Sequence, residues 1–437
     1  MKKIMILLAL VAGTQLASAQ KTAEACKAAV AKAKAACDDP KKAAKPATWI
    51  GLAKAGLEAY TAPRLDGDMF IGHPRQELAM LLSNAKPLST TQETVGGEGY
   101  IVDHYATCDF YYNAAEILQF VVTTKPYIDN SLEIAMEAYS KAAEVDPKAS
   151  KAKDIKDGIT KVANYYQTEA LNCYTFGKLA ESSCMFEKAA DAYATAPLSV
   201  TDSSLIYNSG LTAFMAGNHE RAKAKMDKCI NIGYYEDGEV FAKFGESCKA
   251  LGDTLSCKTA LETGFTKFPN NSNIMVSLIN LYIETKDDPQ KLFSLLDLAK
   301  KNDPMNASLY YVEGNTRKQM GQIDEAIAAY AKCAEINPEY EFGYIGMGLL
   351  YNDLAVKYQE EAQNEFDDAK YNALVEKCDK ALRDAIPPFE KAFEITKTIQ
   401  TKVGIADALK NIFFRYRSEP EYQAKYDFYN EFVKNNN

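Results

Sequence analysis

The stretch "AAYAKCAEINPEY", Ala328–Tyr340, decides how this chain is read. Small residues surround one tyrosine, Tyr330, and one cysteine, Cys333, and a proline, Pro338, closes the run. Gly314, Gly321 and Ala326 stand at fixed steps before it. The same steps recur upstream in Gly210, Gly217, Ala222, Met226 and Cys229, and again in Gly245, Gly252, Cys257, Leu261, Gly264 and Pro269. A weaker copy runs through Asn280, Leu292, Leu296, Ala299 and Pro304. Successive copies are offset by 34 or 35 residues. A fixed period of that length marks a repeat architecture built from one supersecondary unit.

Each copy reads as two helices. The second glycine ends the first helix, because it adopts φ > 0 at no steric cost. A polar residue then opens the next helix, as in "GNHERA", "GDTLSC" and "GQIDEA", by capping free backbone N–H groups. The closing proline stops the second helix. Small residues at fixed steps admit a neighbouring helix, and the large residue between them fills the groove. Cys333 occupies the slot held by Ala142, Ala189, Ala299 or Ala392 elsewhere, so it reads as a packing plug.

These residues resemble the tetratricopeptide repeat family, whose pattern falls here on Tyr310, Gly314, Ala326, Tyr330, Cys333 and Pro338. Trp49, Leu52 and Ala53 look like the first helix of an early repeat. Its second helix lies far downstream, at Ala135, Tyr139, Ala142 and Pro147. A further unit fits Tyr166, Ala170, Gly177, Phe186 and Ala189, and the last opens at Tyr344, Met347, Gly348 and Tyr351. The resemblance implies an all-α solenoid of about seven helical hairpins, with a small β-hairpin insertion near the N-terminus. Residues 20–60 would hold an N-terminal helix and the first half of the first repeat, 61–128 the insertion, and 129–400 the solenoid. A charged helical insertion at about 356–382 separates the halves of the last repeat, where Pro387-Pro388 is expected to break a continuous helix. Residues 401–437 read as a capping helix and a polar tail.

Within 61–128, "TAPRLDGDMFIGHPRQE" and "TTQETVGGEGY" read as loops, with "GGEG" a flexible turn. "CDFYYNAAEILQFVVTTKPY" places two aromatic and β-branched runs around Asn113–Glu116, the signature of a β-hairpin. Such a hairpin either packs on neighbouring helices or serves as a recognition element.

The opening "MKKIMILLALVAGTQLASAQ" pairs two lysines with an apolar run and the small-residue pattern Ala17-Ser18-Ala19. Residues 1–19 are therefore expected to be a secretory signal peptide, leaving Gln20 first. Without Lys2 and Lys3 the chain carries 48 basic against 59 acidic residues, a formal charge of −11. So acidic a chain is a poor match for nucleic acid or anionic lipid. The lysines of "KAAVAKAKAACDDPKKAAK" read as the solvated face of an alanine-rich helix. No later segment has the length of apolar sequence a membrane span needs.

The chain has three histidines, His73, His104 and His219, none in a metal-ligand spacing, and no phosphate-binding loop follows a strand. No cofactor, metal site or catalytic group is expected. Export would place ten cysteines in an oxidising compartment. Cys173 and Cys184 flank one turn and Cys248 and Cys257 another, so each pair either forms a disulfide or fills family alanine slots. Cys26 and Cys37, eleven residues apart on one helix, are separated by ~16 Å and cannot pair with each other.

The resemblance implies a scaffold that binds a protein or peptide in a groove lined by first helices. Carried onto this chain, the groove falls on Tyr207, Leu211, Phe214, Glu246, Lys249, Tyr311, Asn315 and Lys318. Tyr311 stands where a carboxylate-clamping lysine would precede Asn315, which argues against that clamp. The chain also resembles exported tetratricopeptide proteins of Bacteroidetes, which implies the periplasm first, and the outer membrane or the medium as other destinations. A competing reading makes the insertion the active part of an envelope enzyme or of a carbohydrate- or peptidoglycan-binding protein. Convergence of His73, His104, Asp103 and Glu98 in one cleft would weaken the scaffold-only reading, and an insert packed flat beside an open groove would strengthen it.

Overall fold

The computed structural model describes residues 21–82, 85–286 and 288–436, and the expected signal segment lies outside them. The chain divides into two units, ending at Gly264 and beginning at Phe265. Each is a stack of helical hairpins, and the first carries a four-stranded antiparallel sheet near the N-terminus. Among the described residues no helix is long and apolar enough to cross a membrane.

The first unit opens with α1 (Ala23–Cys37), whose Cys26, Val30 and Cys37 turn inward while its lysines face out, and the single turn α2 (Pro40–Ala43). Next comes α3 (Pro46–Thr61), the helix of Trp49. Its partner is α5 (Ser131–Glu144), on the far side of the insertion, as the split repeat requires. A Cβ added at Gly56 of α3 would sit 2.9 Å from the Ser131 carbonyl oxygen, so only glycine permits that approach. Three hairpins follow: α6 (Ala152–Thr175) with α7 (Leu179–Ala194), α8 (Ser203–Met215) with α9 (His219–Asn231), and α10 (Glu239–Ala250) with α11 (Thr254–Lys267). The turn glycines Gly177, Gly217 and Gly252 all have positive φ. Asn218 and Asp253 then cap α9 and α11 through the amides of Arg221 and Ser256.

Between α3 and α5 lie two short 3-10 turns, α4 (Arg75–Leu81) and the sheet. Its strands β1 (Ser89–Val95), β2 (Glu98–His104), β3 (Cys108–Tyr112) and β4 (Leu118–Thr123) form a meander in chain order. The hairpin read around Asn113–Glu116 is β3–β4. "TTQETVGGEGY" is a second hairpin rather than a loop: Val95 pairs with Glu98 across Gly96-Gly97. β1 buries only Val95, so its apolar alternation is absent from the sequence. Phe110, Tyr112 and Val121 pack beneath one face against Leu65 and Leu78, and Val102, Tyr111 and Phe120 beneath the other against Phe176 at the end of α6.

The second unit contains α12 (Ser272–Thr285) with α13 (Pro289–Asn302), α14 (Ala307–Gln319) with α15 (Ile323–Ile336), α16 (Glu341–Gln363) with α17 (Asp368–Ile395), and α18 (Ile399–Tyr416) with α19 (Pro420–Asn436). The seam of α14–α15 is Tyr330. Cβ atoms added at Gly314 and at Gly346 of α16 would each lie 2.5 Å from its ring. The same notch recurs where Phe389 of α17 fills the space at Gly348, and in the first unit where Leu261 fills the space at Gly245.

Two expectations for this unit change. The charged insertion does not form a separate element but lengthens α16 and α17. α17 runs unbroken through Pro387 and Pro388. Those prolines leave the carbonyls of Arg383 and Asp384 without their helical donors, and exposed Arg383 and half-buried Asp384 leave them within reach of water. Ala385, Ile386, Phe389 and Ala392 are meanwhile buried in one core with Ile405, Leu409 and Phe413. The polar tail is itself helical, α19, whose Tyr429 and Val433 close that core. One cap also differs: Gln322 caps nothing with its side chain, which instead accepts from Arg317 at 3.0 Å.

Gly314→Ala is expected to destabilise the chain by about 1–3 kcal/mol, the usual cost of overpacking. Tyr330→Leu introduced beside it should shrink that cost, which a double-mutant cycle on chemical unfolding measures. A second expectation concerns Asp253. Its hydrogen bonds with Lys223 and Ser256 hold its carboxyl at about 2, below the ordinary 3.8. Because the folded value is the lower one, the stabilisation is present above about pH 4 and is lost as pH falls toward 2. Asp253→Asn should therefore unfold at lower urea than the parent at pH 5–6, and the gap should close on acidification.

Candidate functional site

Tyr311, Asn315 and Lys318 occupy steps i, i+4 and i+7 of α14 and so share one face. All three are half-buried and already engaged. The Tyr311 ring lies 5.6 Å from Phe342 and 6.4 Å from Tyr340. Asn315 Oδ1 accepts from the Tyr330 hydroxyl at 2.7 Å, and Lys318 pairs with Asp353 of α16 at 2.5 Å. These residues hold α14 beside α16 and border a surface more than they constitute one.

The surface itself is on α16. Phe342, Leu349 and Val356 are 40%, 45% and 49% exposed, high for apolar side chains on a packed helix. Seven-residue steps advance an α-helix by two turns less about 20°, so the three form one stripe, ~21 Å long at 1.5 Å per residue. Half-buried Ile345 and the polar Asn352 and Asp353 flank it. On the opposite sides Gly343, Gly346 and Leu350 are buried toward α15, and Gly348 toward α17. The sequence carried this signal as i, i+7, i+14, but assigning Val356 to an insertion hid it.

In the first unit, Tyr207, Leu211 and Phe214 lie half-buried on α8. Tyr207 packs 5.8 Å from Tyr234, and burial pushes its hydroxyl well up. Lys243 of α10 sits 4.6 Å over the Phe214 ring and also bonds Glu246 at 3.1 Å, joining two of the expected groove residues through one that was not foreseen. His219 packs against Phe214 at 5.7 Å, and Lys249 is exposed. Each set of expected groove residues belongs to its own unit.

The α14–α15 hairpin can now be set beside known families. Residues 307–340 match the family model described as tetratricopeptide repeat. The match covers this one hairpin and is a likeness of that segment. No curated protein sequence matches the chain. Among solved structures, YrrB, described as a TPR protein with an unusual peptide-binding site, is 18% identical with a TM-score of 0.34, over 48% of this chain and 97% of that one. MamA is 19% identical with a TM-score of 0.34, over 45% and 96%. MamA from Desulfovibrio magneticus RS-1 is 16% identical with a TM-score of 0.32, over 41% and 93%. TM-scores this low say nothing about how the present surfaces are used.

The four residues whose convergence would mark an insertion-borne cleft are dispersed. His104 contacts Thr91 at 2.8 Å and Asp109 at 2.9 Å. Asp103, its neighbour on β2, points to the other face and receives two bonds from Arg75 at 2.9 and 2.6 Å. His73 meets Glu77 at 3.2 Å, and Glu98 is exposed. A cavity of about 390 Å³ between α4 and the sheet is lined by Arg75, Asp103, Tyr105, Tyr112 and Glu116 and includes neither His73 nor His104. Among the described residues no group of histidine, cysteine and carboxylate ligands is arranged to hold a metal ion.

What the insertion does show is a weld. Arg64 is fully buried, yet its guanidinium bonds Asp68 twice at 2.6 Å, Glu169 of α6 at 2.8 Å, Thr123 at 3.0 Å and the Val121 carbonyl at 2.8 Å. Tyr60 of α3 donates to Glu169 at 2.6 Å, and Asn172 of α6 to Val121 at 3.0 Å. Burial opposes the charge on Arg64, but Asp68, Tyr60 and Glu169 outweigh it and hold the proton more firmly than usual. These partners are up to 109 residues apart, so no local pattern announces them.

Of the two readings of these cysteines, the structure has the unbridged one: neither Cys173 with Cys184 nor Cys248 with Cys257 forms a disulfide. Cys184 is exposed on α7, whereas Cys173 is half-buried on α6. Cys333 is fully buried, and a Cβ on Gly343 would lie 3.0 Å from its Sγ, so it fills the gap between α15 and α16. Burial pushes the thiols of Cys173, Cys248 and Cys333 up to about 11.

Arg64→Ala is expected to cost about 3–5 kcal/mol, because it removes the fully buried partner of the half-buried Asp68 and Glu169 carboxylates and of the Val121 carbonyl. Limited proteolysis should then cut within residues 61–128 first. Alkylation of the folded chain at pH 8 should label Cys184 well before Cys173, Cys248 or Cys333, as peptide mass spectrometry reads directly.

Proposed function

We propose that this chain is a protein-interaction scaffold that receives a peptide or helical segment of a partner protein along the α14–α16 face of its second unit. One observation carries the reading, the exposed apolar stripe of Phe342, Leu349 and Val356 on a helix whose other sides are packed. Scattered apolar residues are normal on protein surfaces, but an aligned row beside an aromatic cluster is not. Tyr311, Tyr340 and Phe342 pack on one another and form a rigid aromatic end for a bound chain. The Lys318–Asp353 pair supplies a polar border that fixes register more than affinity. The tetratricopeptide match at 307–340 supports the reading, since such repeats commonly bind proteins. The leader-like N-terminal sequence, two lysines before an apolar run and Ala17-Ser18-Ala19, supports export to the bacterial envelope.

The test uses the double variant Leu349→Asp/Val356→Asp in affinity capture from envelope extract, beside the parent chain. The parent should retain a specific protein and the variant should lose it, with circular dichroism and unfolding midpoint nearly unchanged. Equal capture by both, or by neither, contradicts the reading. N-terminal sequencing of the mature chain should give Gln20.

A further inference from the structure

α16 and α17 are 23 and 28 residues long, against 13 and 14 for α14 and α15. α16 begins where its repeat should begin, after Pro338, so its ten extra residues all lie at the far end, ~15 Å of added helix. The connection there is short and held. Asn364 Nδ2 donates to the Glu360 carbonyl at 2.9 Å, and Glu365 Oε1 accepts from the amides of Phe366 and Asp367, both at 2.9 Å. Asp367 Oδ1 caps α17 through the Lys370 amide at 3.0 Å. On this closed turn Phe366 is 98% exposed, more than any other large apolar side chain among the described residues. Around it, residues 359–371 carry five carboxylates, Glu360, Glu361, Glu365, Asp367 and Asp368, against one lysine, Lys370.

We propose that this tip is a docking knob, separate from the α16 stripe, that inserts Phe366 into an apolar pocket rimmed by lysine or arginine on a partner protein. A phenylalanine held fully in water by a hydrogen-bonded turn has its burial still to come, and the backbone that presents it is already ordered. The carboxylates choose the rim: they attract a basic pocket, repel an acidic one, and disfavour anionic lipid. The knob thus supplies the apolar anchor and the ring of like charge supplies selectivity.

The experiment places the photo-crosslinking residue p-benzoylphenylalanine at position 366 of the full chain and irradiates it in envelope extract. The expected result is a protein adduct whose mapped peptide holds apolar residues flanked by lysine or arginine. The adduct should fall about tenfold or more at 0.5 M salt, where screening shortens charge interactions to a few ångströms. It should fall likewise in E360K/E361K, a change that suits a helix C-terminus and leaves the loop bonds of Glu365 and Asp367 intact. In the parent background, Phe366→Ser should weaken binding of the mapped partner by roughly tenfold to a hundredfold. No adduct, an adduct to lipid, to a second copy of this chain or to an acidic segment, or one indifferent to salt and charge reversal, would overturn the proposal.

Discussion

The structure of the repeat stack depends on one steric constraint, a large side chain seated where a neighbouring helix has no Cβ. Tyr330 shows it most fully. Its ring occupies the notches of both Gly314 and Gly346, and its hydroxyl reaches Asn315. Glycine inside a helix costs about 1 kcal/mol relative to alanine, so its presence at these positions needs a compensating contact. The close approach of the helices is that contact, and the aromatic ring buries apolar area on both sides. Leu261 at Gly245 and Phe389 at Gly348 repeat the arrangement with different side chains.

Two consequences follow for function. On α16 the face turned away from its packed neighbours carries the exposed apolar Phe342, Leu349 and Val356. The insertion, by contrast, is bound into the first unit through Arg64 and its five hydrogen bonds to α6, β4 and the turn after α3. Its two hairpins bury aromatic residues on both faces of the sheet. The sheet is thus packed into the first unit on both faces, while Met80 and Leu88 of the insertion stay exposed.

The hairpins were legible because their signal is periodic and steric. Gly314, Tyr330 and Pro338 each mark a position that few residues satisfy. Trp49 and Tyr139 even disclosed a repeat divided by the whole insertion. The β1–β2 hairpin was not legible, since Thr90, Thr91, Gln92 and Thr94 alternate nothing apolar and only Gly96-Gly97 hinted at a turn. Pro387 and Pro388 misled, because tertiary burial of Ile386 and Phe389 overrides a local preference. The Arg64 weld lay beyond sequence reasoning, as its partners meet only in three dimensions. Of the site, Tyr311, Asn315 and Lys318 were found as positions, but their engagement and the Phe342–Leu349–Val356 stripe needed the packing around α16.

The grip on Tyr330 can be measured as motion. A ring held between two helices must wait for both to separate before it turns over, whereas an exposed ring such as that of Tyr371 turns freely. With tyrosine rings labelled with carbon-13 and Tyr330 assigned through its loss in Tyr330→Phe, the two edges of this ring should give separate signals at 25 °C. A single averaged signal, like that of Tyr371, would contradict the seam on which this account of the fold rests.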